Sequence, residues 1–332
     1  MYLKKVLFFT PIFLFLYGIN SYNMHLTLFE DPFGQIASEA WVKESPIQFF
    51  IGYVLNLILN NTILTYWLVV VLGFIFLLFS IIKFDQKVFV NMQVMKILYF
   101  SPFFIILFYW MGKPDTFTIG SLFLLTSFSS SLLISGLAIF IMIFSHPQIS
   151  FIYLILLKFL KIFKFKIEHY ILFLLGYITY FIYYSQLEEF DNRYDVISSE
   201  IDRAIDTIFT NTLAGLISLF MWLWVPIFLS GLIKDRKFVL SFLFIFSISF
   251  FTLDHTRIFM ILSIPVIIYL VSKKKFMESF SNIYDKKVMY FLGIFQLHKR
   301  GDGRIVDGRN FSEYEYFQKL INSLLELVSN FL

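Results

Sequence analysis

The sequence predicts an all-α, polytopic helical membrane protein, and three observations carry that prediction. The chain of 332 residues is 58% hydrophobic and only 15% charged, where a soluble domain of this size needs roughly a quarter charged residues to cover its surface. Its apolar residues collect in runs long enough to cross a bilayer, which takes about 20 residues in a helix. The segments between those runs alternate in charge, one set basic and the next acidic. The net charge of +4 is the small remainder of these opposed local charges.

In chain order, the first run is Val6–Tyr22, preceded by Lys4 and Lys5. It has the charge pattern of a signal peptide without a small-x-small cleavage site, and so reads as a retained first span. Further spans are expected at Thr62–Ile82, Ile97–Met111, Phe117–Phe144, His169–Ser185, Ile208–Ile233, Phe238–Leu253 and Ile258–Val271, about eight in all. Pro11, Pro102, Pro226 and Pro265 fall inside or near span ends, where neighbouring helices absorb the lost backbone bond. The fourth run is long, and its Ser127, Ser129, Ser130, Ser131 and Ser135 mark either a broken helix or a close helix contact, close packing being the plainer reading. Phe151–Lys166 carries lysines at 158, 161 and 164 among Phe, Leu and Ile and is expected to lie in the plane of the cytoplasmic leaflet. Residues 1–297 form one integral-membrane domain on this reading. Residues 298–332 form a Gly- and Arg-containing tail that ends in an amphipathic helix, Phe311–Leu332.

Orientation follows from Lys and Arg. With the N-terminus in the cytoplasm, the inner segments hold seventeen of them and the outer segments five: Lys43, Lys113, Arg193, Arg203 and Arg257. That asymmetry obeys the positive-inside rule and gives the chain a charged extracytoplasmic face. Absence of cysteine excludes disulfides, thiolate metal ligands and cysteine nucleophiles. The five histidines are scattered, with no HExxH-like pair, so neither a metal site nor a cofactor is expected. Nucleic acid is not an expected partner either.

Four outer patches hold the candidate site residues. The first, Asn23–Asn61, contains Glu30, Asp31, Glu39, Lys43 and Glu44, followed by an apolar stretch, Ile47–Leu59, expected to fold back onto the membrane. Glu30 or Asp31 is a candidate general base for a sugar hydroxyl. The second is Gly112-Lys113-Pro114-Asp115. Lys113 is placed to meet a phosphate as a point charge, and Asp115 reads as the N-cap of the next helix. The third, Gln186–Asn211, mixes seven acids with Arg193 and Arg203; most read as a solvated face, and either arginine is a candidate for a diphosphate. The fourth, Leu253-Asp254-His255-Thr256-Arg257, sits between two apolar runs, where charge is costly and marks a site. Arg257 offers a bidentate phosphate contact, with Asp254 or His255 orienting it or moving a proton.

With Glu30-Asp31, Lys113-Pro114-Asp115 and Asp254-His255-Thr256-Arg257, the chain resembles the bacterial surface-polysaccharide polymerases, the Wzy-type O-antigen and capsule enzymes, and the related GT-C class of membrane glycosyltransferases. The resemblance covers the whole chain in architecture, and its motifs are loose. It implies assembly of polyprenyl-diphosphate-linked saccharide at the outer face of the bacterial inner membrane, alongside membrane lipid and export or chain-length partner proteins. It carries a first-loop acid over to Asp31 or Glu30 as base, and diphosphate-binding arginines to Arg257 and, less directly, Arg193 or Arg203. The expected pattern differs in that such polymerases usually have more spans and a larger outer loop, and many GT-C enzymes carry a soluble C-terminal domain. A single-sugar transferase is the near alternative. A transporter is the distant one, predicting ionisable side chains at mid-membrane depth and inverted repeats, neither of which the sequence displays.

Overall fold

The computed structural model describes residues 45–88, 93–109, 113–186, 212–250, 255–284, 298–299 and 305–306. Within them the protein is all-helical apart from a two-residue antiparallel ladder, His298–Lys299 with Ile305–Val306. The first expected span, Val6–Tyr22, and most of the tail lie outside the described residues.

Helix α1 (Ile47–Leu59) and the long helix α2 (Thr62–Val88) form a hairpin. Asn60 closes α1 in the left-handed conformation (φ 47°), a backbone that Asn tolerates better than most residues. The Asn61 side chain then accepts the Leu64 amide, satisfying a free N–H of the new helix. Among the described residues, Thr62–Lys87 is long and apolar enough by itself to cross a membrane. A second such unit exists if α12 (His255–Val271) and α13 (Lys274–Tyr284), bent by 97° across a short break, count as one.

Several expected spans are instead broken helices. Ile97–Met111 is two pieces, α3 (Gln93–Phe100) and α4 (Phe103–Tyr109), separated at Ser101-Pro102. Pro102 has no N–H to continue the ladder, and the Ser101 hydroxyl bridges the gap, donating to Leu98 O and accepting from Phe103 N. Phe117–Phe144 is a hairpin of α5 (Asp115–Ser127) and α6 (Leu132–Ser145) rather than one span. Here the serines make the break. Ser131 accepts the Ile134 amide and Ser135 donates back to Phe128 O, so that helix-end backbone groups are met by side chains at the reversal. Ile208–Ile233 becomes α9 (Thr212–Phe220) and α10 (Trp224–Leu229) around a 3₁₀ turn that begins at Met221, itself at φ 49°.

The segment expected to lie in the membrane plane is helical with other bounds. It is helix α7 (Pro147–Leu160), which starts earlier and ends at Lys161, left-handed at φ 57°. Its Tyr153, Leu156, Leu157 and Leu160 are buried, and the Tyr153 hydroxyl donates to Ile261 O of α12 at 2.7 Å. It is a packed member of the bundle. Helix α13 is amphipathic: Phe276, Phe280 and Tyr284 are buried four residues apart, the helical spacing of one face. Tyr284 stacks on Phe100 and donates to Trp222 O.

Directions follow from the contacts. Helix α5 runs parallel to α2: Gly73 lies against Thr116 and Phe117, Gly120 against Phe76 and Leu77, and Phe84 against Phe123. Helix α6 returns, and α7 descends again beside α12, with Tyr153 meeting Ile261. Helix α8 (Ile167–Ser185) rises antiparallel to α7, with Tyr170 near Lys158 and Tyr177 donating to Pro147 O. Helix α11 (Arg236–Phe250) lies antiparallel to α12, Asp235 meeting Tyr269 and Phe242 meeting Phe259. The outward faces are apolar: Leu72, Ile75 and Phe79 on α2, Leu133 and Leu137 on α6, and Leu174, Phe181 and Ile182 on α8 are exposed.

Candidate functional site: a buried ion pair with a histidine

Three helices begin with a proline preceded by a polar residue: Ser45-Pro46 before α1, Lys113-Pro114 before α5 and His146-Pro147 at α7. Proline is favoured at a helix start because its fixed φ suits the first turn and its missing N–H is not needed there. These starts, together with the first turn of α12, meet at one place. Asp115 lies at the centre. Arg257 grips its carboxylate with both arms of the guanidinium, Nε to Oδ2 at 2.8 Å and Nη2 to Oδ1 at 2.7 Å. His146 Nε2 sits 3.0 Å from the same Oδ1, and His146 Nδ1 lies 3.3 Å from Ser45 Oγ. The result is a chain of four side chains from four separate segments.

Burial differs along that chain. The Asp115 side chain is 1% exposed and that of Arg257 8%, but His146 is 17% exposed. Ser45 is buried. The fork from Arg257 keeps Asp115 ionised, because a buried carboxylate is stable only when paired and hydrogen-bonded. An ionised Asp115 can only accept, so His146 Nε2 carries the hydrogen and Nδ1 is free to accept the Ser45 hydroxyl. Arg257 and Lys113 are the two cations whose charge acts on the imidazole.

Depth matters as well. Thr116, next to Asp115, faces Gly73 so closely that a Cβ there would come 2.5 Å from its Oγ1. At 1.5 Å per residue, Gly73 is roughly 17 Å from the Thr62 end of α2 and roughly 22 Å from the other. The ion pair is therefore near the mid-length of the long helix. The apolar runs of the sequence carry almost no charge, yet this pair packs beside the middle of helix α2. The sequence hid it because each charge sits at the start of its own helix rather than inside an apolar run.

Of the residues singled out from sequence, Arg257 and Lys113 belong to this site. Asp115 is corrected: Pro114 holds the cap position, and the Asp115 carboxylate makes no capping bond but joins Arg257 and His146. His255 begins α12, its side chain outside the described residues. Glu30, Asp31, Arg193, Arg203 and Asp254 also lie outside them. Sequence reasoning missed His146 and Ser45. The signal was the repeated polar-Pro dipeptide opening an apolar helix.

A second polar cluster sits at the opposite end. Asp235 caps α11 through Lys237 N and Phe238 N, accepts the Tyr269 hydroxyl at 2.9 Å, and lies 3.6 Å from Lys273. Partial burial works to raise its pKa, but these donors and the Lys273 charge outweigh it and hold the carboxyl below its ordinary value. Asp85 plays a similar part, accepting Val94 N and Met95 N to begin α3. Both are structural. Among the described residues, no group of three or more His, Asp or Glu is placed to hold a metal.

No family profile, curated protein or solved structure matches this chain.

Proposed function

We propose that the chain is a polytopic protein of the bacterial cytoplasmic membrane, N-terminus cytoplasmic, that polymerises polyprenyl-diphosphate-linked oligosaccharide repeat units by glycosyl transfer. About eight crossings are made, several of them by broken helices, and the apolar outward faces of α2, α6 and α8 supply lipid contact. One observation carries the reading: a guanidinium, a carboxylate and an imidazole are held together at the mid-length of a membrane-length helix. Charge at that depth is costly and is retained for function.

The chemistry is glycosyl transfer with diphosphate as leaving group. Lys113 and Arg257 supply positive charge where the departing diphosphate accumulates negative charge, the largest catalytic term for such a step. The first turns of α5 and α7, whose cap residues make no side-chain capping bond, add their partial positive charge. Asp31 or Glu30 stands as the candidate acid that activates the acceptor hydroxyl. Neither a cofactor nor a metal is invoked.

Two other readings stay in view. A transferase adding one sugar from a polyprenyl-phosphate donor would use the same site. A precursor transporter is favoured by a specific observation, the combination of mid-depth ionisable groups with broken helices. A gel profile of surface polysaccharide from a deletion strain separates the three. Loss of the ladder to a single repeat supports the polymerase. An incomplete unit indicates the single-sugar transferase, and loss of all surface saccharide the transporter. An unchanged ladder refutes polymerisation.

A further inference from the structure

We infer that the turn before α11 and the start of α13 form a docking site for an anionic phospholipid of the cytoplasmic leaflet. Lys234, Arg236 and Lys275 meet its phosphate, and the exposed end of α10 meets its acyl chain. The inference rests on the reading that the chain spans a membrane with its N-terminus inside, and is independent of the reaction proposed above.

Two stretches distant in sequence bring the cations together. Asp235 accepts the Tyr269 hydroxyl at 2.9 Å and lies 3.6 Å from Lys273 Nζ, which stands 4.2 Å from the centre of the Tyr269 ring. These bonds tie the turn before α11 to the break between α12 and α13. Lys234, Arg236 and Lys237 on one side, and Lys274 and Lys275 on the other, each lie within two residues of that tie.

The acids of the two stretches, Asp235 and Glu278, do not neutralise this charge. Asp235 is occupied: it accepts Lys237 N, Phe238 N and the Tyr269 hydroxyl, and pairs with Lys273. Glu278 lies 3.7 Å from Lys274, both side chains exposed, a pairing that holds little charge in place. Lys234, Arg236 and Lys275 are exposed and make no ion pair among the described residues. Their placement also opposes the helix dipoles. Arg236 and Lys237 open α11, and Lys274 and Lys275 open α13, where negative charge is favoured and positive charge is not. A phosphate seated between the two starts answers the side chains and the helix ends together.

An apolar surface beside the charges selects a lipid over a free anion. Phe228 and Leu229, at the end of α10, are 59% and 68% exposed, and Ile233 and Leu240 are exposed on either side of the cations of the turn. Gly231, left-handed at φ 71°, carries the chain from this apolar end to Lys234. Helix α10 packs on α13, and α13 leaves α12 at 97° with its Phe276–Phe280–Tyr284 face buried. A basic edge bordering an apolar face, at the cytoplasmic end of the bundle, is complementary to an anionic headgroup with its acyl chain below.

The test is thermal unfolding of the purified full chain in nanodiscs of phosphatidylcholine, with phosphatidylglycerol raised stepwise. Wild type is compared with the double variant Arg236→Gln, Lys275→Gln, which keeps Asp235 and its bonds. The control is Lys161→Gln, Lys164→Gln, which removes the same charge from exposed residues after α7. The readout is the rise of the midpoint within each protein, so a difference in starting stability does not enter. The inference expects a saturating rise of roughly 2 °C or more in wild type and the control, and less than half of that rise in Arg236→Gln, Lys275→Gln. No rise in wild type, or equal rises in all three, overturns the inference and leaves the membrane reading standing. An equal rise on adding glycerol 3-phosphate to phosphatidylcholine discs overturns the lipid as the source of the phosphate. An equal rise with soluble polyglutamate assigns the surface to an acidic protein and also overturns the inference. A chain that enters nanodiscs of neither composition overturns the membrane reading, and the inference with it.

Discussion

Replacing Arg257 by Met should destabilise the protein by roughly 3–5 kcal/mol, the cost of leaving one partner of a buried pair uncompensated. The structure sets this scale. Asp115 is 1% exposed and would lose two charge-assisted bonds of 2.8 and 2.7 Å, keeping only His146. Asp115→Leu alone takes both of those bonds from the guanidinium. The double variant Arg257→Met with Asp115→Leu removes both charges and fills similar volume, so its cost should fall far below the sum of the singles. A coupling of about 3 kcal/mol is the expected signature of residues in one network. The assay is SDS- or heat-driven unfolding of the purified chain for wild type, both singles and the double. If Arg257→Met costs less than about 1 kcal/mol, in the range of an exposed pair, or if the two singles simply add, then the pair is not buried and coupled as described.

Three further outcomes are expected from other parts of the fold. Gly120→Ala puts a Cβ 2.7 Å from the Phe76 ring and 3.2 Å from the Leu77 Cα; because the backbone cannot yield, the change should cost about 1–3 kcal/mol in the same unfolding assay. Asp85→Ala removes the acceptor of Val94 N and Met95 N and should cost about 1–2 kcal/mol, as for a lost helix cap. Asp235 is held below its ordinary carboxyl value of 3.8, so the unfolded chain binds the proton more readily and stability falls as pH drops through and below that value. Above it the contribution is fully present. Asp235→Asn should flatten that acid limb, and a limb unchanged by the substitution would contradict the role given to Asp235.

Helix ends marked by local chemistry were legible in the sequence. Ile47–Leu59, the start at Thr62, and the ends at Ser185 and Val271 all match the structure, because Asn60-Asn61 and the charged residues after those runs interrupt the apolar pattern. Direction inside an uncharged run was not legible. Phe117–Phe144 reads as one long span because hydropathy is unchanged by a chain reversal, and three serines in a row fit close packing as well as a turn. The bounds expected for the helix in Phe151–Lys166 are shifted for a related reason. Its lysines describe the end of the helix, whereas Tyr153 and its bond to Ile261 decide where the helix goes. Arg257 was legible as a charge that bilayer depth makes expensive. Its partner was not, since Asp115 before an apolar helix satisfies every local sign of a cap. Ser45 and His146 are 101 residues apart, and no periodicity links them.

The central claim is that these distant segments meet at one site, and cross-linking tests it most directly. The chain has no cysteine, so Ser45→Cys with His146→Cys creates a thiol pair without background. A protease site placed in the 129–130 turn, which is exposed, lets a cut chain report the link. With a short bifunctional thiol reagent, the account predicts that the cut halves stay joined until reduced, while a Leu57→Cys and His146→Cys control separates. Halves that separate equally in both pairs would contradict the meeting of Ser45 and His146, and with it the site.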